Sequence, residues 1–311
     1  MRKLARILIV AAAAVVGMAG NGWAADKIVM ITHGLANDAF WNVVKNGATE
    51  AAKETGVDFQ YQSPETFDMV AMGQLIDAAV NQRPAGIVVT IPDADALGPS
   101  IQRATAAGIP VISINSGSDV SKKFGALLHV GQDEYTAGKV AGAKLKDMGG
   151  KKAICINHEV GNVSLDQRCK GFADGFGGPV TVLPTTNDFT EVKSKVRAAL
   201  DSDPAIDTVL ALSAGQSGEP AVAAVEEAQK ADKVKVASFD LSANFLKLVS
   251  EGKAVFAVDQ QQYLQGYLSV IFLATYAKYG MIPGGDVSSG PNLVTKDKAA
   301  QVIDLSAKGL R

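Results

Sequence analysis

The chain has 311 residues, 47% of them apolar and 20% charged, with 30 Lys and Arg against 32 Asp and Glu. This length exceeds one typical core and predicts two domains, and the apolar share leaves little room for disorder. A pI near 6.0 without Lys/Arg clusters excludes a nucleic-acid or anionic-membrane binder as the first reading. No Walker A loop, GxGxxG, HExxH or GxSxG occurs, so the usual signatures of several enzyme classes are missing.

Residues 1–24 read as a secretory signal peptide. Arg2, Lys3 and Arg6 make a basic start, and the apolar run Ile7 to Val16 is too short to span a bilayer. Gly22-Trp23-Ala24 then offers small residues for cleavage after Ala24, and no cysteine lies nearby for lipidation. Cleavage leaves 27 basic against 32 acidic residues, a net charge of −5 on an exported chain.

Ile28 to Ile31 predicts a buried strand, His33 to Asp38 a polar loop, and Phe40, Trp41, Val43, Val44, Ala48, Ala51 and Ala52 a helix. Neighbours on a helix lie about 100° apart, so at least one of Phe40 and Trp41 is expected to face the loop crevice. The alternation continues: strand Val57 to Tyr61, helix Met69 to Val80, strand Gly86 to Thr90, helix Ala96 to Ala107, and strand Pro110 to Ile114 ending in Asn115-Ser116-Gly117. A less regular stretch, Asp119 to Gly131, leads to Val130-Gly131-Gln132-Asp133, with Asp133 near a helix cap.

The pattern then restarts. Strands are expected at Ala153 to Ile156, Val180 to Leu183, Thr208 to Leu212, Val234 to Phe239 and Ala254 to Val258. Helices are expected at Leu165 to Phe176, Val192 to Leu200, Glu219 to Lys230, Ala243 to Ser250 and Tyr263 to Tyr279. Two successive βα sets predict two similar α/β lobes with parallel, doubly wound sheets.

In an exported chain, Cys155 and Cys169 favour a disulfide. A metal reading exists, because Cys155 and His158 have C-x-x-H spacing and Cys169 is close by, but it lacks a fourth ligand. Polar residues gather where strands stop: His33, Asn37 and Asp38; Asp93; Asn115 and Ser116; His158, Glu159 and Asn162; Arg168; Ser213 and Gln216; Asp240; and Asp259 with Gln260. In an open α/β sheet these ends converge on one rim. Asp93 and Asp119 also suit turns, and Arg168 a surface pair with Asp166 or Glu159. Amides, carboxylates and an arginine beside aromatic rings suit an uncharged polyhydroxylated ligand, whose hydroxyls donate and accept while its C–H faces pack on rings. No Ser/His/Asp or metal spacing stands out, so no catalytic residue, metal ligand or cofactor is assigned.

The chain resembles the periplasmic sugar-binding proteins of ABC importers, the ribose-binding or type I cluster. The carriers are N-D-A-F-W at Asn37 to Trp41, A-G-I-P-V-I-S-I-N-S at Ala107 to Ser116, D-Q-R-C-K-G-F at Asp166 to Phe172, V-A-S-F-D at Val236 to Asp240 and V-D-Q-Q-Q-Y at Val258 to Tyr263. The resemblance implies two Rossmann-like lobes, each a parallel sheet flanked by helices, joined by a three-strand hinge. Crossings near Gly131, Gln260 and Asn292 divide the chain into residues 25–131 plus 261–292 and residues 132–260 plus 293–311.

By the same resemblance, Phe40 and Trp41 match stacking aromatics, Asp38 a first-loop ligand, Arg168 a donor to sugar oxygens, Phe189 a third aromatic and Asp240 a binding carboxylate. Asn115 stands for an Asp of the ribose binders, Ser116 for their adjacent Arg, Ser213 for an Asn and Asp259 for a Gln. These departures, with the N-D-A-F-W loop and the Cys155/Cys169 pair, look closer to binders of other monosaccharides and polyols. The implied partners are a sugar or polyol, an inner-membrane ABC permease and, as a further candidate, a chemoreceptor. The protein is expected as a monomer in the periplasm. An exported hydrolase or isomerase on a small sugar is the competing reading.

Overall fold

A computed structural model describes residues 26–34 and 38–311; the expected signal peptide and Asn37 lie outside the described residues. Strand and helix alternate through β1 (Lys27–Ile31), α1 (Ala39–Thr55), β2 (Asp58–Gln62), α2 (Met69–Asn81), β3 (Gly86–Val89), α3 (Ala94–Ala106), β4 (Val111–Ile114) and β5 (Leu128–Gly131). The second series runs α4 (Glu134–Asp147), β6 (Ala153–Asn157), α5 (Val163–Phe176), β7 (Val180–Pro184), α6 (Phe189–Ser202), β8 (Thr208–Ala211), a π-helical turn (Ala214–Gly218) and α7 (Glu219–Glu227). Then come β9 (Lys235–Phe239), α8 (Ala243–Glu251), β10 (Phe256–Asp259), α9 (Gln262–Tyr279), β11 (Val287–Ser288), β12 (Asn292–Thr295) and α10 (Lys296–Ala307). No described helix is long and apolar enough to cross a membrane.

These strands make two six-stranded sheets, β11-β5-β4-β3-β1-β2 and β12-β10-β9-β8-β6-β7. Every pairing is parallel except β10 with β12. This is the doubly wound α/β arrangement expected from the alternation. Two apolar layers cover the first sheet, one formed with α1 and α9 and the other with α2 and α3. The second sheet lies between a layer with α4 and α5 and one with α6, α7, α8 and α10. The chain passes between the sheets three times, at residues 132–133, 260–261 and 289–291. The short β11, β12 and α10 carry no clear period in the sequence. Two residues make too short a strand to alternate, and α10 buries only Ala299 and Val302.

Helix starts follow their caps. Asp188 accepts from Glu191 N–H and starts α6 at Phe189, earlier than the apolar pattern suggests. Asn162 does the same for α5. Glycines then set how closely α4 and α5 approach. A Cβ on Gly138 would fall 2.1 Å from the Arg168 carbonyl oxygen, and one on Gly171 2.0 Å from that of Tyr135. The two backbones therefore touch, which carries Arg168 of α5 onto Glu134 at the start of α4.

Cys155 of β6 and Cys169 of α5 form a disulfide with Cα atoms 5.8 Å apart, which consumes both sulfurs of the metal alternative. The bridge pins α5 to its own sheet. With its ends 14 positions apart in sequence, its removal in a Cys155→Ala/Cys169→Ala variant should cost about 3 kcal/mol in denaturant unfolding. Thiol labelling of the unfolded, unreduced protein should find no reactive sulfur; two labelled thiols would contradict the bridge.

Candidate functional site

The carboxyl ends of both sheets face one another. A narrow polar chamber of about 30 Å³ lies between them. From the first sheet's rim come His33, Asp38, Phe40, Trp41 and Asn115. The second sheet supplies His158, Glu159, Asn162, Arg168, Ser213 and Asp240, and Gln260 reaches in from a crossing segment. An outer groove shares Asp38, Phe40, Ser213 and Asp240 with this chamber.

Local backbone explains why these residue types stand here. Asn115 and Asp240, directly after β4 and β9, adopt left-handed φ values of 62° and 69°, a region Asn and Asp tolerate better than other side chains. Asp38 caps α1 by accepting from Phe40 N–H at 2.9 Å, so its carboxylate is held at the helix mouth. Phe40 and Trp41 meet edge to face, centroids 4.9 Å apart at 79°, and both line the chamber while packing on the α1 core. The indole lies against Gly34, where a Cβ would fall 1.9 Å from the ring. Its other neighbour is His33, edge-on at 4.8 Å.

Hydrogen bonds join the two sides. Gln216 Nε2 donates to Asp38 Oδ2 at 3.0 Å, and Asn162 Nδ2 lies 3.4 Å from His33 Nε2. Asn115 Nδ2 donates to Gln260 Oε1 at 3.1 Å, and Gln260 Nε2 to Asp240 Oδ1 at 2.6 Å. Val163 N–H also donates to the Pro92 carbonyl at 3.0 Å. The lobes are therefore in contact around the chamber.

Of the expected site residues, Asp38, Phe40, Trp41, Asn115, Arg168, Ser213 and Asp240 are brought together; three are not. Asp259 is buried but turned away: its Oδ1 accepts from Gln261 N–H at 2.8 Å, and its Oδ2 takes Arg311 Nε at 2.9 Å. Neighbours on a strand point to opposite sides, and Gln260 is the one facing the chamber. Ser116 is buried in the turn that left-handed Asn115 creates, its carbonyl accepting from Ile91 N–H at 3.1 Å. Phe189 opens α6 and is 46% exposed, outside the chamber. Arg168 is no surface residue. It is 3% exposed, bonded to Glu134 rather than to Asp166 or Glu159, and stacked 4.5 Å over Phe239.

Burial raises the acid carboxyls. Asp38, Glu159 and Asp240 are each pushed up to about 7, against the pull of the Phe40 N–H on the first, Asn162 and Arg168 on the second, and Arg168 and Gln260 on the third. Burial, reinforced by the Arg168 charge, lowers His33 and His158 to about 3 and keeps both neutral. Burial also pulls Arg168 down, but the Glu134 carboxylate outweighs it and holds the guanidinium charged. Among the described residues no group of three or more His, Cys, Asp or Glu is placed to hold a metal ion.

Residues 28–280 match the profile of the periplasmic binding protein domain. The xylose/arabinose-binding protein of Sulfolobus acidocaldarius is 24% identical over 265 residues, covering 80% of this chain and 66% of that protein. The ribose import binding protein of Escherichia coli is 27% identical over 269 residues, 84% of this chain and 87% of its own. Among solved structures, a carbohydrate transporter from Acidothermus cellulolyticus in complex with myo-inositol superposes with a TM-score of 0.88 at 36% identity. That match covers 92% of this chain and 100% of the other.

The buried acids make the empty closed chamber pH-sensitive. In a hydrated cleft the carboxyls keep values of about 4, so closing takes up protons at Asp38, Glu159 and Asp240 and weakens as pH rises from there through about 7. His33 and His158 oppose this, because they enter neutral; their effect grows with pH from about 3 and is complete above 6.5. Above pH 6.5 the pH dependence from the histidines fades and the carboxyls dominate up to about 8. Small-angle scattering of the ligand-free protein should show it expanding over that range, less so in Asp240→Asn. A radius of gyration independent of pH would contradict these assignments.

Proposed function

The chain belongs to the periplasmic binding protein family, and from that premise we propose that it is the solute-binding protein of an ABC transporter, taking one monosaccharide or sugar alcohol between its lobes. The observation that carries this reading is the chamber itself. Aromatic edges, amides, carboxylates and one arginine meet in one narrow space between the two sheets. Hydroxyls satisfy such a wall because each donates to a carboxylate or amide oxygen and accepts from an N–H. Out of water, these bonds strengthen. The relatives named above are a xylose/arabinose-binding protein, a ribose import binding protein and a carbohydrate transporter in complex with myo-inositol, and these ligands are all polyhydroxylated and of similar size.

In this reading residues 25–131 plus 261–292 and residues 132–260 plus 293–311 move as two bodies about the three crossings. Ligand selects the closed arrangement. A membrane permease, with a chemoreceptor as a second reader, would recognise the closed monomer. Export to the periplasm follows from the amino-terminal segment. The same chamber in an enzyme would turn its sugar over; a binding protein returns it unchanged.

A thermal-shift panel of pentoses, hexoses, deoxysugars and polyols tests the reading, since ligand at 100 times its Kd should stabilise by about 2.7 kcal/mol. Product analysis of the retained sugar separates binding from turnover. With the best ligand, Asp240→Ala and Arg168→Ala should each lose about 2–4 kcal/mol of affinity, because a buried partner is left unpaired. Trp41, the sole tryptophan once Trp23 is removed with the signal peptide, should change its emission on saturation. A folded Asp240→Ala protein with unchanged affinity, or emission blind to a ligand seen by calorimetry, would overturn the placement of the ligand.

A further inference from the structure

Among the described residues Arg168 is the only arginine or lysine that lines the chamber, and its charge is already matched. Glu134 accepts from its Nε at 2.5 Å and its Nη2 at 3.0 Å, with both side chains almost fully buried. Gln132 donates to the same carboxylate at 3.0 Å, and Arg168 Nη1 leans on the Leu212 carbonyl at 3.4 Å. The pair is close to neutral as a unit.

Three carboxylates remain on the chamber wall: Asp38, Glu159 and Asp240. Their protein donors are uncharged, being Phe40 N–H and Gln216 for Asp38, Asn162 for Glu159 and Gln260 for Asp240. His33 lies 3.7 Å from Glu159 but is held neutral. Among the described residues no donor reaches Asp240 Oδ2 or Glu159 Oε1. His158, 7% exposed on the same wall, has Nδ1 buried without a partner. The amino ends of α1, α5 and α8 point positive partial charge toward this region, about half a unit each, which softens the excess without cancelling it. With a neutral sugar the lobes close only by taking up protons at these carboxyls, which burial raises to about 7; a cationic group on the ligand would let them stay ionised.

We propose that the ligand of this chamber is an aminated polyol, an amino sugar or amino cyclitol whose primary ammonium sits among Asp38, Glu159 and Asp240. This rests on the sugar-binding reading above and narrows it. An ammonium supplies one charge and three donors, enough to meet the open oxygens while ring hydroxyls engage Asn115, Gln260 and Arg168. Glu134 then acts as a specificity-determining residue. By neutralising Arg168 it leaves the wall carboxylates free to demand a cation from the ligand.

Calorimetry on the full mature protein with matched sets tests this: D-glucose, D-glucosamine and N-acetyl-D-glucosamine; the galactose series; and scyllo-inositol with its monoamine. In at least one set the amine should bind tenfold or more tighter than its hydroxyl counterpart, and in the two hexose series acetylation, which removes the charge, should abolish the gain. Glu134→Gln, which unmasks the Arg168 charge, should shrink the amine-to-hydroxyl ratio; Asp38→Asn should do the same without touching the buried pair. If the hydroxyl member binds as tightly as the amine in every set, the proposal is overturned and the sugar-binding reading stands. Binding of no member overturns the proposal too, while a hit in the wider thermal-shift panel keeps the sugar-binding reading. Stabilisation by sodium or calcium chloride alone, with no amine preference, would assign the charge to a metal ion and overturn it too.

Discussion

Arg168 and Glu134 form the interaction around which the chamber is built. A guanidinium buried beside a cavity needs a partner, and breaking such a pair typically costs about 3–5 kcal/mol because the survivor is stranded. The pair exists only because α4 and α5 touch along their backbones, with Gly138 and Gly171 leaving room for carbonyl oxygens about 2 Å from where a side chain would begin. The Cys155–Cys169 bridge then ties α5, one residue beyond Arg168, to the sheet. Packing, covalent linkage and electrostatics thus act on one guanidinium.

The two lobes use the same backbone device at equivalent places. β4 and β9 occupy matching positions in their sheets, and each is followed by a residue in the left-handed region, Asn115 and Asp240. That conformation lifts the side chain off the strand end and into the cleft. Gln260 joins the two, accepting from Asn115 and donating to Asp240. It sits on a crossing segment, and Gln265 Nε2 supports its side-chain oxygen at 3.1 Å. The connection between the lobes therefore takes part in the polar wall, so closing the lobes and completing the wall are one event.

Asp259 shows how little separates a wall residue from a supporting one. It neighbours Gln260, yet its carboxylate is consumed by Gln261 N–H and Arg311. Arg311 ties the end of the described chain to β10, while Asn46 of α1 donates to the Gly309 carbonyl at 3.0 Å. The segment after α10 thus bridges the first lobe and the crossing, at the margin of the outer groove that Gly309 helps line.

The βα alternation, the parallel sheets and the rim of strand-end polar residues were legible in the sequence, because they follow from local periodicity and from where apolar runs stop. Phe40 beside Trp41 and Asp240 straight after a buried strand were legible for the same reason. Tertiary structure decided the rest. Strand alternation says that Asp259 and Gln260 point opposite ways, but not which side is the chamber. An aromatic at a helix start reads alike whether, as Phe40, it lines the cleft or, as Phe189, it faces solvent. The partner of Arg168 was hidden most deeply: Glu134 lies 34 residues away, past a glycine-mediated helix contact that no local pattern announces. Local periodicity sets which residues reach the rim; which of them meet, and with what net charge, depends on how two separately formed sheets come face to face.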